Sequence, residues 1–222
     1  MERHIDQELK ELNKEILRMG AYTEEAIFKS VEALKNRDRA LSKSVIDNDI
    51  NIDKLELSID ERCIDLIARY QPMAKDLRLI TTGMKLNTEL ERISDIAVDI
   101  AQRVLEIADK PMLKPLVDIP KLTAIAQNMV KMSVDSFING DVGLAKKVII
   151  SDNEADKLRD SITKELIEDY MSKDASTAPR AVQLLLIARF LERICDHATN
   201  IAEDVIYMVE AEVVKHHPEK LK

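Results

Sequence analysis

Acidic side chains repeated at four-residue spacing are the feature of this sequence best able to do chemistry. Glu91-Arg92-Ile93-Ser94-Asp95 is followed by Asp99, and 101 positions later Glu192-Arg193-Ile194-Cys195-Asp196 is followed by Asn200. On a helix, residues four apart share a face, with Cβ atoms about 5–6 Å apart. Each copy therefore sets like charges side by side, which opposes helix formation unless a cation compensates. A second pair, Asp49 and Asp53, is also duplicated, as Asp152 and Asp156. If the helices carrying these pairs run antiparallel about the Pro72 turn, Asp53 comes level with Asp95 and Asp49 with Asp99. In the second half, Asp156 comes level with Asp196 and Asp152 with Asn200.

Carboxylates gathered at one level suit a hard cation, or several, bound through oxygen. No histidine shares the positions, which argues against an imidazole-rich zinc site, and the Glu-x-x-His pattern of di-iron bundles is missing. The competing reading is a solvated acidic face balanced by Lys and Arg, which any single pair of this kind would favour; four duplicated, level-matched pairs favour metal. Arg92 and Arg193, beside the motif glutamates, read as ion-pair partners. His197 reads as a satisfied surface residue, and His216 and His217 as solvated side chains of a charged tail. No glycine-rich phosphate loop and no nucleophile–base arrangement is present.

The elements that must position these groups are helices. In 222 residues there are 4 Gly, 6 Pro, no Trp and 3% aromatics, too little turn and strand chemistry for anything but few, long helices. Apolar residues recur at three-to-four spacing from Arg3 to Asn36, interrupted by Gly20, where a kink or a close helix approach is expected. Asp38 caps a second helix that ends near Tyr70, before Pro72. A third runs from about Ala74 to Ala108. After a proline-rich stretch the pattern repeats: Asp38, Leu41, Asp49 and Asp53-Lys54-Leu55 match Asp141, Leu144, Asp152 and Asp156-Lys157-Leu158 at an offset of 103. The offset falls to 101 beyond the second turn, Lys173 to Pro179. The sequence thus predicts an all-α protein of two tandem antiparallel three-helix repeats: residues 1–110, a linker at 111–120, and residues 121–222.

The net charge of −8 disfavours nucleic acid as a partner. Cys63 and Cys195 read as small buried residues in a reducing compartment. The charged N-terminus does not read as a signal peptide, and no apolar run approaches the ~18 residues a membrane span needs. A cytoplasmic location is expected.

Two stretches resemble a known family. Gln71-Pro72-Met73-Ala74-Lys75-Asp76-Leu77-Arg78 is similar to the turn signature of the PhoU family. Leu191 to Glu203, reading LERICDHATNIAE, resembles that family's second metal motif, with Cys195 where the family usually has Gly. The resemblance covers the whole chain. It implies a cytoplasmic homodimer, peripheral at the inner membrane face, that acts with a phosphate ABC transporter ATPase and a sensor histidine kinase and holds the phosphate-starvation response off. It also implies multinuclear sites for divalent or trivalent metal ions at Asp49, Asp53, Glu91, Asp95 and Asp99, and at Asp152, Asp156, Glu192 and Asp196. Iron leads the candidates, with manganese, magnesium, zinc and nickel open. Asn200 in place of an acid makes the second site the weaker one. The alternatives are a metal-dependent carboxylate-cluster enzyme, disfavoured by the lack of histidine at the sites, and a plain structural or interaction bundle.

Overall fold

A computed structural model describes residues 3–214. Its helices are α1 (His4–Asn36), α2 (Arg39–Tyr70), α3 (Ala74–Ile107), α4 (Asp118–Asn139), α5 (Val142–Glu165) and α6 (Ala178–Glu210). α5 continues through a π-helical turn, Leu166–Met171, and a short 3₁₀ turn, Ala175–Thr177, leads into α6. No strand occurs among the described residues. The fold is the expected all-α duplication of a three-helix hairpin. His216 and His217 lie outside the described residues.

Corresponding junctions are built alike in the two halves. The Asp38 and Asp141 side chains each accept from the backbone N–H three residues on, of Leu41 and Leu144, at 2.9 Å. Such caps contribute about 1 kcal/mol each. The residue before each cap turns left-handed: Arg37 at φ 57° and Gly140 at φ 62°. Glycine does this without strain. Arg37 does not, but its guanidinium donates twice to the Ala108 carbonyl, at 2.6 and 2.9 Å, and so ties this turn to the end of α3.

The expected linker is shorter than 111–120. α4 begins at Asp118, so Pro120 lies in its first turn, where a backbone N–H has no intrahelical partner to lose. The rest of the linker is pinned: Lys114 pairs with Glu165, Arg180 donates to the Pro111 carbonyl at 3.2 Å, and Leu113 and Leu116 pack on the core. The π turn of α5 has no counterpart in α2, and it sits between the stretch where the repeats align at 103 and the stretch where they align at 101.

One continuous core draws buried residues from all six helices. The halves dock antiparallel through α1 on α4 and α3 on α6. α1 passes Gly20 without a break, and a Cβ there would stand 3.2 Å from Val134 Cγ2; the glycine permits close approach rather than a kink. Phe137 of α4 reaches across to Gly83 of α3, and at the α3–α6 seam Arg78 donates to the Met208 carbonyl at 3.0 Å and Lys85 pairs with Asp204 at 2.8 Å. α2 is left to pack on α1 and α3, and α5 on α4 and α6. Cys63 and Cys195 are free and fully buried; burial pushes the Cys63 thiol up to about 12 and Cys195 higher still, so both are poor nucleophiles.

Candidate metal centre

Two polar contacts set the register of α2 on α3. Ser94 Oγ donates to Asp49 Oδ1 at 2.7 Å. The buried Asn87 amide donates to the Glu56 carbonyl at 2.9 Å and to Asp60 Oδ1 at 3.0 Å. Asp49 is therefore level with Ser94, not with Asp99 as expected. The hairpin turns on Gln71-Pro72-Met73, since α2 ends at Tyr70 and α3 resumes at Ala74, and that earlier pivot draws Asp49 toward the start of α3. The gathering itself survives the slip. Partial burial raises the Asp49 pKa, with Asp53 and Asp95 adding to it. Glu91 is pushed up to about 7 by burial and by Asp95, Glu56, Asp53 and Asp49. Asp95 is raised by burial, then by Asp53 and Asp99. Asp99 joins the group through its effect on Asp95.

Glu56 belongs to the same group and escaped notice in the sequence, although it lies one turn beyond Asp53. Burial raises its pKa, helped by Asp60, Asp53 and Asp95. Among the described residues, no lysine, arginine or histidine forms an ion pair with Asp49, Asp53, Glu56, Glu91, Asp95 or Asp99. Beside Asp49 opens a cleft of about 640 Å³ between α1 and α2, bordered by Arg18, Tyr22, Lys29 and Lys54.

In the second half Asp152, Asp156, Glu192 and Asp196 lie within electrostatic reach of one another. Asp152 is pushed up to about 6 by burial and by Asp196, Asp156 and Glu192. Glu192 and Asp196 are raised by burial first and by their acidic neighbours next. Here, however, a cation stands among the acids. Arg159 contacts Asp156 Oδ1 at 3.1 Å, Asp160 Oδ1 at 3.0 Å and Glu192 Oε1 at 3.1 Å. It occupies the position of Glu56 in the other copy, and the aligned repeat could have shown this.

His197 and Asn200 hydrogen-bond across to α3 rather than to this cluster's acids. His197 Nδ1 lies 2.6 Å from Glu89 Oε2, with both side chains largely buried, and Asn200 donates to the same oxygen at 3.2 Å. His197 is thus a seam residue between α6 and α3, not a surface one. Burial would raise Glu89, but these hydrogen bonds outweigh it and hold its pKa below the ordinary value. Arg92 approaches Glu89 at 4.0 Å rather than Glu91, and Arg193 acts on Asp196 from a distance.

By donor chemistry the first cluster fits an oxygen-preferring cation: Asp49, Glu56, Glu91 and Asp95 have pKa values raised by burial and acidic neighbours, and the cluster lacks a partner of opposite charge. Among the described residues, however, no three acidic, histidine or cysteine side chains stand grouped to hold an ion.

The raised pKa values fix a pH dependence. A carboxyl titrating near 7 when folded, against 4.5 when unfolded, keeps its proton better in the native state. Stability of the metal-free protein should therefore fall as pH rises from about 5 to 7. Discounted for solvent screening, Glu91 contributes on the order of 1 kcal/mol, or about 2–4 °C in Tm. Melts with chelator at pH 5 and 7.5 check this, and Glu91→Gln should flatten the difference. A pH-independent Tm would show that the acids do not strain the metal-free fold.

Fold and cluster together define a class: a duplicated three-helix protein with a carboxylate group on the second and third helix of each repeat. The PhoU domain model matches residues 16–104 and 119–205, one copy per repeat, and the chain belongs to the PhoU family. It is 44% identical over 209 residues to a phosphate-specific transport system accessory protein PhoU homolog of Aquifex aeolicus, covering 94% of both chains. It is 33% identical to the phosphate-specific transport system accessory protein PhoU of Escherichia coli, over 94% of this chain and 86% of that one. The crystal structure of PhoU from Pseudomonas aeruginosa superposes with a TM-score of 0.89 at 34% identity, covering 94% of this chain and all of that one.

Proposed function

We propose that this chain is a regulatory accessory protein of a phosphate transport system, working by binding rather than by turnover. The observation that carries the reading is the near full-length identity to a phosphate-specific transport system accessory protein homolog. In this reading the protein works as a homodimer on the cytoplasmic side of the membrane. It contacts the ATPase of a phosphate ABC transporter and a sensor histidine kinase, and it keeps the starvation response off while phosphate is plentiful. No helix among the described residues is long and apolar enough to cross a membrane, which agrees with a peripheral association.

Metal ions belong to the same reading. Asp49, Asp53, Glu91, Asp95 and Asp99 would hold them in the first half, with Asp152, Asp156, Glu192 and Asp196 as the duplicated set. A bound cation, iron foremost, supplies positive charge that relieves the repulsion between α2 and α3. The chain's own contribution is to hold the carboxylates level and Asp49 oriented by Ser94.

The test is a binding titration of the full chain against the transporter ATPase and the kinase cytoplasmic portion, with and without metal. Micromolar binding to at least one partner is expected. Failure to bind either, in both metal states, overturns the reading.

A further inference from the structure

The two copies differ at one decisive position. Asp53-Lys54-Leu55-Glu56 aligns with Asp156-Lys157-Leu158-Arg159, and downstream Ser58-Ile59 aligns with Ser161-Ile162. Asp99, the outermost acid of the first group, aligns with Asn200. Six carboxylates in the first cluster therefore face four carboxylates and a guanidinium in the second.

Arg159 is held inside that cluster. It bridges α5 to α6 through Glu192 and takes Asp156 and Asp160 as well, with the three contacts at 3.0–3.1 Å. Its side chain is 31% exposed, and its Nε is buried without an acceptor, so the guanidinium is committed to the acids on its Nη1 and Nη2 side. Arginine suits this place, since it stays charged and its planar fork meets several carboxylate oxygens at once. Arg189 adds a weaker positive influence on Glu192, and on Asp196 His197 and Arg193 act beside Arg159, His197 the most strongly of the three. For Glu91, Asp95 and Glu56 the charged groups that shift the carboxyl are acidic.

We infer that Arg159 is the resident cation of the second cluster, doing there by covalent attachment what an exogenous metal does in the first. This rests on the metal reading above only for what fills the first cluster. The second cluster then joins α5 to α6 with or without metal, whereas the junction of α2 and α3 responds to metal supply. An ion entering the second cluster must first displace a guanidinium from two of its ligands, Asp156 and Glu192.

The test exchanges the residues between the copies: Glu56→Arg, Arg159→Glu and the milder Arg159→Gln. Each is purified without a metal-binding tag, stripped, and reloaded with manganese(II). Bound manganese is measured by elemental mass spectrometry and stability by thermal melting. The wild type should load the first cluster at least ~10-fold more tightly than the second. Arg159→Glu should about double the manganese bound, and Glu56→Arg should abolish tight binding. In the stripped state Arg159→Gln should lower Tm by a few degrees and Glu56→Arg should raise it. Equal loading of both halves in the wild type, unchanged in Arg159→Glu, would overturn the inference and leave the metal reading standing. If no variant took up manganese or iron, the metal reading would fall and the stripped melts would decide for Arg159: opposite shifts support its role as the internal counter-ion, and unchanged Tm values remove it.

Discussion

Asp53→Asn combined with Asp95→Asn is expected to move stability and metal content in opposite directions. Both residues add to the charge that disfavours ionisation of Glu91, and Asp53 also acts on Asp49 and Asp95. Asparagine keeps the shape of each side chain and removes the repulsion. The stripped variant should therefore melt about 2–4 °C above the stripped wild type. The same change removes two anionic donors. Outer partners of metal ligands alone typically carry a 10–100-fold effect on affinity, so loss of two of the proposed ligands should exceed that and leave the first cluster without measurable manganese or iron. Elemental analysis and paired melts, with chelator and with metal, read both effects. A surface that is merely acidic and solvated would show the stabilisation without any change in metal content.

Phe137→Ala should be among the most damaging single changes in the chain. The ring is 2% exposed, and its Cζ stands 3.5 Å from where a Cβ on Gly83 would lie, beside Ile16 and Leu12 of α1. It therefore fills the space where α4 of the second repeat meets α1 and α3 of the first. Truncating a buried phenylalanine costs about 3–5 kcal/mol, through lost transfer energy and the cavity left behind. At this length that is roughly a 10 °C fall in Tm. Because the ring belongs to the seam between repeats, melting should remain a single transition if the core is cooperative. Two separated transitions would show that the halves unfold independently.

Much of this architecture was legible from the residues. Asp38 and Asp141 announce helix starts because a short acidic side chain can reach the backbone N–H groups that a helix leaves unpaired. The duplicated carboxylates fall where the repeat puts them because helical spacing is rigid. What escaped depended on finer geometry. Asp49 lies level with Ser94 instead of Asp99 because the hairpin pivots just before the point that the acidic spacing suggested. Pro120 read as a breaker, yet the first turn of a helix tolerates it. The π turn after Glu165 leaves no clear compositional mark. His197 read as a surface residue and Asn200 as level with Asp152, but both bond to Glu89 on a helix about a hundred residues away, a partnership that local sequence cannot show. Arg159 was readable in principle. It needed the repeats to be compared for their differences rather than their matches.

The antiparallel seams between the repeats, α1 on α4 and α3 on α6, have a consequence for how such a chain arises. A single hairpin whose first and third helices each meet the same helix of another copy describes a two-fold dimer of half-length chains. Joining the copies through the pinned linker between α3 and α4 turns that encounter into an intramolecular one, at an effective concentration on the order of millimolar. It also releases the halves from having to stay identical. A change in a half-length ancestor would have altered both sites together. In the fused chain Glu56 can remain acidic while its counterpart becomes Arg159, Asp99 can remain while its counterpart becomes Asn200, and Gly140 can relieve a turn that Arg37 must brace. Fusion thus permits one protein to keep a site that answers to its surroundings alongside another that has become part of its own framework.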